Sequence, residues 1–193
     1  MTDHSALVTL LAERSTRRGQ FTLASGKQSK YYIDARLTTM SPEGLSVIGR
    51  LGLSTLLQSG WAIDAIGGLT LGADPISYAI SYASAKSDHP LRAFTVRKET
   101  KAHGTGKLIE GPFREGDHVA VIEDVITTGG SALRAIEAIR AARGTVKGVL
   151  ALVDREEGGR QAIESAGVSI ISLVSASQII KTLEAQRLDA AEL

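Results

Sequence analysis

The chain has no cysteine, which excludes a disulfide scaffold and thiol catalysis and fits a reducing compartment. It has no excess of either charge: 22 Lys and Arg stand against 21 Asp and Glu, for a net of +1. A nucleic-acid footprint spread over the whole surface is therefore not expected, although a local basic patch is allowed. Long apolar runs are missing too. The longest uncharged stretch, Ser165–Ile180, is rich in serine and falls short of the roughly 20 apolar residues that span a bilayer. Asp3 and His4 stand where a secretory signal would be basic, and Glu13 and Arg14 cut the first apolar stretch short. The expectation is a soluble, cytoplasmic protein with neither membrane nor nucleic acid as a partner. Two nucleotide-binding fingerprints are absent as well. Gly67 and Gly72 have the spacing of G-x-x-x-x-G-K-[ST], but Ala73 and Asp74 follow, and no G-x-G-x-x-G occurs. No internal repeat, low-complexity tract or linker divides the 193 residues, whose 43% hydrophobic content suits one globular domain.

What is present is an alternation. Residues 5–17 carry Leu7, Leu10 and Leu11 on one face before Gly19, which predicts a short helix. Phe21–Leu23 and Tyr31–Ile33 read as strands around the turn ASGKQSK. Ser41-Pro42-Glu43 reads as a helix start, with a capping hydroxyl, a proline preset at the first position and an acid near the positive end of the dipole. That helix runs to Gly60. Beyond it, the apolar run Ala62–Ile66 leads through GGLTLGADP to a helix carrying Ile76, Ile80 and Ala83. The strand Ala93–Val96 follows. Val119–Ile122 precedes a helix with Leu133, Ile136 and Ile139 that ends at Gly144. Val146–Val153 leads through DREEGG to a helix ending at Gly167, then come the strand Val168–Val174 and a last helix, Ser175–Gln186. Strands apolar on both faces, alternating with helices, imply an α/β fold with a central, mostly parallel sheet flanked by helices. One connection breaks the rhythm. RKETKAHGTGKLIEGPFREGDH, between Val96 and Val119, has no helical period and exceeds the roughly 12–15 residues that loops in compact domains rarely pass.

The stretch VIEDVITTGGS, residues 121–131, concentrates the chemistry. Ligands of parallel sheets bind at the carboxyl ends of the strands. Glu123 and Asp124 fall at such an end, and two adjacent carboxylates there need hydroxyl donors, a metal or water. The following turn offers the opposite. Gly129 and Gly130 let backbone approach a ligand closely, and the amides opening the next helix suit an anion such as a phosphate. A phosphorylated sugar matches both halves. Within the long loop the segment RKETKAHG holds Arg97, Lys98, Lys101 and His103 against the one acid Glu99, a positive clamp suited to diphosphate. Arg155 ends the strand GVLALVD, where it can hold a carboxylate with two parallel bonds. Its rival partners are Asp154, Glu156 and Glu157.

VIEDVITTGGS resembles the phosphoribosyl-diphosphate signature of type I phosphoribosyltransferases. Together with FTLASGKQSKYYIDAR, RKETKAHG and LVDREEGG, in that family's order over residues 21–159, it resembles the orotate phosphoribosyltransferases more specifically. The resemblance implies a Rossmann-like type I phosphoribosyltransferase fold in a single domain, with an N-terminal hairpin or hood over about residues 1–40 and a core over about 41–193. It implies transfer of the 5-phosphoribosyl group from 5-phospho-α-D-ribose 1-diphosphate to orotate, giving orotidine 5′-monophosphate and diphosphate in UMP synthesis. Carried over by position, Lys27, Arg97, Lys98, Lys101, His103 and the run Glu123, Asp124, Val125, Ile126, Thr127, Thr128, Gly129, Gly130 and Ser131 bind phosphoribosyl diphosphate. Lys101, His103 and Asp124 are catalytic, and Thr127, Arg155, Tyr31 and Tyr32 lie at orotate. The cofactor implied is Mg²⁺, held mainly by the substrate, with Glu123 and Asp124 reaching it through water. The partner implied is a second copy of the chain, a homodimer in which loop 97–107 enters the neighbouring subunit's site. One departure stands out: GGLTLGAD carries Thr70-Leu71 where many relatives have an aromatic-Lys pair, so contact to diphosphate there falls to the backbone. Two other readings compete. A phosphoribosyltransferase for a different base has no need of Arg155, and a regulator that binds nucleic acid predicts a basic stripe that a net charge of +1 does not favour.

Overall fold

In the computed structural model, the described residues are 2–22, 26, 28–99 and 108–191. Helix α1 (Asp3–Leu10) is capped by Thr2, whose hydroxyl accepts the Ser5 amide proton at 3.2 Å. It continues through a π-helical turn, Leu11–Ser15, into strand β1 (Thr16–Thr22), which pairs antiparallel with β2 (Gln28–Ile33). The short α2 (Arg36–Thr39) precedes α3 (Pro42–Gln58). The expected start of α3 is realised: the Ser41 hydroxyl accepts the Gly44 amide proton at 3.1 Å, and Pro42 opens the helix. The remaining elements are β3 (Ala65–Leu69), α4 (Ala73–Ser84), β4 (Arg92–Val96), β5 (Ile109–Glu110), β6 (His118–Ile126), α5 (Gly130–Ala141), β7 (Thr145–Asp154), α6 (Gly159–Ser165), β8 (Ile170–Ser175) and α7 (Ala176–Ala191). No helix among the described residues is long and apolar enough to cross a membrane.

The main sheet has six strands in the order β5-β4-β3-β6-β7-β8. All neighbours are parallel except β5, which runs antiparallel to β4. From β3 the chain moves out to β4 on one side, then returns to place β6 on the other. The carboxyl ends of β3 and β6 therefore flank the point where strand order reverses, which is where open α/β sheets leave a crevice. Both faces of the sheet are covered. Ile66, Ala120, Ile122 and Leu150 pack with α1, α3, α4 and α7 on one side. Ala65, Val119, Val121 and Val149 pack with α5 and α6 on the other. Val121 and Ile122 are thus both fully buried, on opposite faces, as period-two strands require.

Several boundaries differ from the sequence expectation, each for a physical reason. The strand expected at Phe21 begins at Thr16, because Thr16, Arg17 and Arg18 pair with Ile33, Tyr32 and Tyr31, although a buried threonine followed by two exposed arginines gives no apolar alternation. Strand β3 starts three residues later than expected and takes in Gly67 and Gly68 from the presumed turn. Neighbouring backbone leaves no room for a side chain there: a Cβ on Gly67 would strike the Phe94 carbonyl, and one on Gly68 the Ile122 carbonyl. The long connection after β4 is not all loop. Residues 109–110 return as the edge strand β5, and Asp117 pairs with Arg92 at 2.7 Å, tying the amino ends of β4 and β6.

Candidate functional site

The acid pair and the glycine turn meet at the switch point. Strand β6 delivers Glu123, which is only 7% exposed, and then Asp124. The Asp124 Oδ1 accepts the Val125 amide proton at 2.8 Å. Its carboxylate lies against Gly72 in the turn after β3, where a Cβ would sit 2.5 Å from the Asp124 Cγ. The two turns flanking the crevice are therefore in contact, and any side chain at position 72 would have to displace the Asp124 carboxylate. After Ile126 the chain turns through Thr127 and Thr128 to Gly129, whose φ of 84° lies in the left-handed region that favours glycine. Gly130 then opens α5, whose first-turn amides have no intrahelical acceptor.

Two adjoining cavities share these residues. One, of about 430 Å³, is lined by Glu123, Asp124, Val125, Thr127 and Ser131 from the β6 side and by Thr70, Leu71 and Gly72 from the β3 side. Tyr32, Asp34 and Arg36 close it from the N-terminal hairpin, and Lys98, Arg134 and Arg155 border it. The other, of about 420 Å³, lies around Val125–Ser131, with Glu123 and Arg134 at its edge. Carboxylates and an amide-rich turn thus border two cavities that share Glu123, Val125, Thr127, Ser131 and Arg134. Together they can hold a polyol through the acids and an anion through the amides and cations.

The electrostatics are uneven. The Glu123 carboxyl titrates well above the usual carboxyl range. Burial is the main cause, followed by the Asp124 charge and a hydrogen bond to Asp124, while the Arg134 charge pulls the other way. Its Oε2 is buried with no hydrogen-bond partner. Arg155 reaches the first cavity while donating from Nε to Glu157 Oε1 at 2.9 Å, with its Nη2 2.9 Å from the same oxygen in an ion pair. Of its rival partners Glu157 takes the pair, Asp154 pairs with Arg160 at 3.1 Å, and Glu156 accepts the Ser177 amide proton at 3.1 Å. Arg155 keeps further donors, since a guanidinium has five N–H groups. In the turn after β3 the Thr70 hydroxyl donates to Asp74 Oδ2 at 2.6 Å, and the Thr95 hydroxyl donates to Asp74 Oδ1 at 2.9 Å. The Thr70–Leu71 peptide is cis.

The structure brings together Tyr32, Lys98, Glu123, Asp124, Val125, Ile126, Thr127, Thr128, Gly129, Gly130, Ser131 and Arg155 from the sequence expectation. It does not bring in Tyr31. In a strand successive side chains alternate, so Tyr32 faces the cavity with its ring 5.5 Å from Phe21, while the Tyr31 hydroxyl donates to Glu184 of α7 at 2.6 Å. Arg97 lines neither cavity and pairs with Glu110 of β5 at 3.3 Å. Lys27, Lys101 and His103 lie outside the described residues. Sequence reasoning missed Arg134, Asp34 and Arg36. Arg36 stands within the quoted stretch YYIDAR, two residues after Asp34, the acid that it grips at 2.8 Å. Arg134 carried one weak signal, a cation one helical turn after Ser131.

No protein-family model matches the chain. It is similar to the orotate phosphoribosyltransferase of Aquifex aeolicus, 45% identical over 183 residues that cover 93% of this chain and 99% of the relative. Among solved structures it is similar to Mycobacterium tuberculosis orotate phosphoribosyltransferase in complex with Fe(III) dicitrate, with a TM-score of 0.80 and 41% identity, covering 92% of this chain and 98% of that one. The same M. tuberculosis enzyme in complex with 5-phospho-α-D-ribosyl 1-diphosphate gives a TM-score of 0.76 at 38% identity over the same shares of the two chains.

Proposed function

The chain belongs to the orotate phosphoribosyltransferases, and we propose that the crevice between the ends of β3 and β6 is where it joins phosphoribosyl diphosphate to orotate. The reaction moves the 5-phosphoribosyl group to orotate and yields orotidine 5′-monophosphate and diphosphate, a pyrimidine-synthesis step. One observation carries the siting: the Glu123–Asp124 carboxylates and the 127–131 turn border adjoining cavities at the topological switch point. In this reading the amides of 128–131 hold the 5-phosphate, and Glu123 and Asp124 accept the ribose hydroxyls. The backbone of Thr70–Gly72 faces the diphosphate. Orotate lies between Tyr32, Thr127 and Arg155, with its carboxylate toward the donors that Arg155 does not spend on Glu157.

Breaking the bond between C1 and the diphosphate leaves positive charge on the ribose and negative charge on the leaving group. Catalysis then consists of placing cations where that negative charge grows. Lys98 borders the cavity, and the family resemblance assigns Lys101 and His103 the same task toward diphosphate. Covering the site keeps water from capturing the ribose in place of orotate.

No group of three His, Cys, Asp or Glu side chains that could hold a metal occurs among the described residues. The hard oxygens at the cavity belong to the carboxyl groups of Glu123, whose buried Oε2 has no hydrogen-bond partner, and Asp124. That pair fits Mg²⁺ held mainly by substrate oxygens, with Glu123 and Asp124 reaching it through water. When bound, the ion supplies positive charge to the diphosphate as it leaves.

The reading includes a homodimer with loop 97–107 reaching the neighbouring site. What supports the dimer is an exposed apolar face where α3 and α4 meet: Tyr78 is 53% and Tyr82 85% exposed, and with Leu45, Gly49, Ala79 and Ala83 they line a groove of about 520 Å³. The test of the function is to follow orotate consumption by absorbance, with phosphoribosyl diphosphate present and Mg²⁺ supplied or chelated, against uracil, adenine and hypoxanthine. The expected result is Mg²⁺-dependent turnover of orotate alone. Turnover of a purine in its place would remove the assignment of Arg155.

A further inference from the structure

We propose that Arg134 is a substrate-binding residue for the 5-phosphate of phosphoribosyl diphosphate, the side-chain cation of a cradle otherwise built from backbone amides. This inference rests on the reading of the 127–131 turn as the phosphate site. Arg134 sits in the second turn of α5, three residues beyond Ser131, and borders both cavities. Its neighbours Ala132, Ala135, Ile136 and Ile139 turn to the core, while Arg134 stays exposed. It is the only cation among the described residues that line the cavity around the turn. Arginines at the other cavity are engaged, Arg36 with Asp34 and Arg155 with Glu157. Arg134 has no such ion pair among the described residues.

The charge balance gives the residue its task. A phosphate monoester brings up to two negative charges into a space already edged by Glu123, a buried acid whose Oε2 has no hydrogen-bond partner. The amino end of a helix contributes only about half a positive charge. A further cation is needed at the same place, and a guanidinium can meet two phosphate oxygens at once. Arg134, the one described cation lining this cavity and close enough to Glu123 to act on its charge, is positioned to do so.

The test uses ribose 5-phosphate, which carries the phosphate and sugar but neither diphosphate nor base. Its binding is measured by calorimetry without Mg²⁺ for the parent, Arg134→Ala and Arg134→Lys, alongside the KM for each substrate. Loss of a charge-assisted contact in Arg134→Ala is expected to weaken ribose 5-phosphate by about ten- to a hundredfold and to raise the KM for phosphoribosyl diphosphate in parallel. The KM for orotate and the melting temperature stay unchanged, and Arg134→Lys falls between parent and alanine. Unchanged ribose 5-phosphate binding in Arg134→Ala, in a parent that consumes orotate, overturns the role of Arg134 alone. So does an equal loss of affinity for both substrates. A parent that consumes no orotate overturns the reading of the site, and this inference with it.

Discussion

Glu123 combines strong burial with a neighbouring acid, and that combination is costly to the fold at neutral pH. Its carboxyl titrates well above the ordinary value of 4.5, first because it is buried and then because of Asp124. The unfolded chain releases this proton near the ordinary value, while the folded chain keeps it to higher pH. Between the two values the folded state binds more protons, so stability falls as pH rises, at no more than about 1.4 kcal/mol per pH unit. Glu123→Gln preserves the shape and removes the titration. In urea unfolding the variant is expected to match the parent at acid pH and to become the more stable of the two as pH climbs above 4.5, the ordinary carboxyl value. A stability difference that does not change with pH would contradict this account. The chemistry of the acid pair was legible in the sequence, because two carboxylates ending an apolar strand have few alternatives. Arg134 was not, because a single arginine in a helix is ordinarily a solvated side chain, and only the placement of α5 turns it toward the turn.

At the scale of elements, the strand–helix alternation was legible because each core strand is apolar on both faces. The edges were not. Thr16–Arg18 joins β1 through backbone pairing that side-chain pattern does not report, and Gly67 and Gly68 read as a turn until Phe94 and Ile122 are seen crowding them. The hairpin of β1 and β2 shows the same limit. Paired tyrosines suggest two rings at the base, yet strand alternation separates them. Tyr31 anchors the hairpin to α7 through Glu184, and Tyr32 forms cavity wall against Phe21. Tyr31→Phe is therefore expected to cost about 1 kcal/mol of stability, the usual worth of one hydrogen bond, with the KM for orotate unchanged. Tyr32→Ala should do the reverse, raising that KM with a smaller change in melting temperature. Both quantities come from the same pair of purified variants, and a KM that responds to Tyr31→Phe instead would exchange the two roles.

For the whole molecule, the position of the site follows from topology: β3 sits between β4 and β6, so the crevice at its carboxyl end is set by strand order. The α3–α4 face is a different matter. Tyr78 and Tyr82 are four residues apart on α4, a spacing that also suits a core-facing stripe, and only the packing of α3 across Gly49 and Ala79 leaves them outward. A face with two exposed tyrosines and little polar lining suits a second copy of the chain. Tyr82→Glu puts a charge where such a contact would be dry, and it leaves the fold alone because the side chain is already 85% exposed. By light scattering, the parent is expected at twice its 20.3 kDa chain mass and the variant at the single-chain mass. If loop 97–107 is supplied by the neighbouring subunit, the monomeric variant also loses turnover, and mixing it with an Arg155→Ala variant that still dimerises cannot restore it. A Tyr82→Glu protein that is monomeric yet fully active would separate the dimer from catalysis. One that stays dimeric would place the interface on another face.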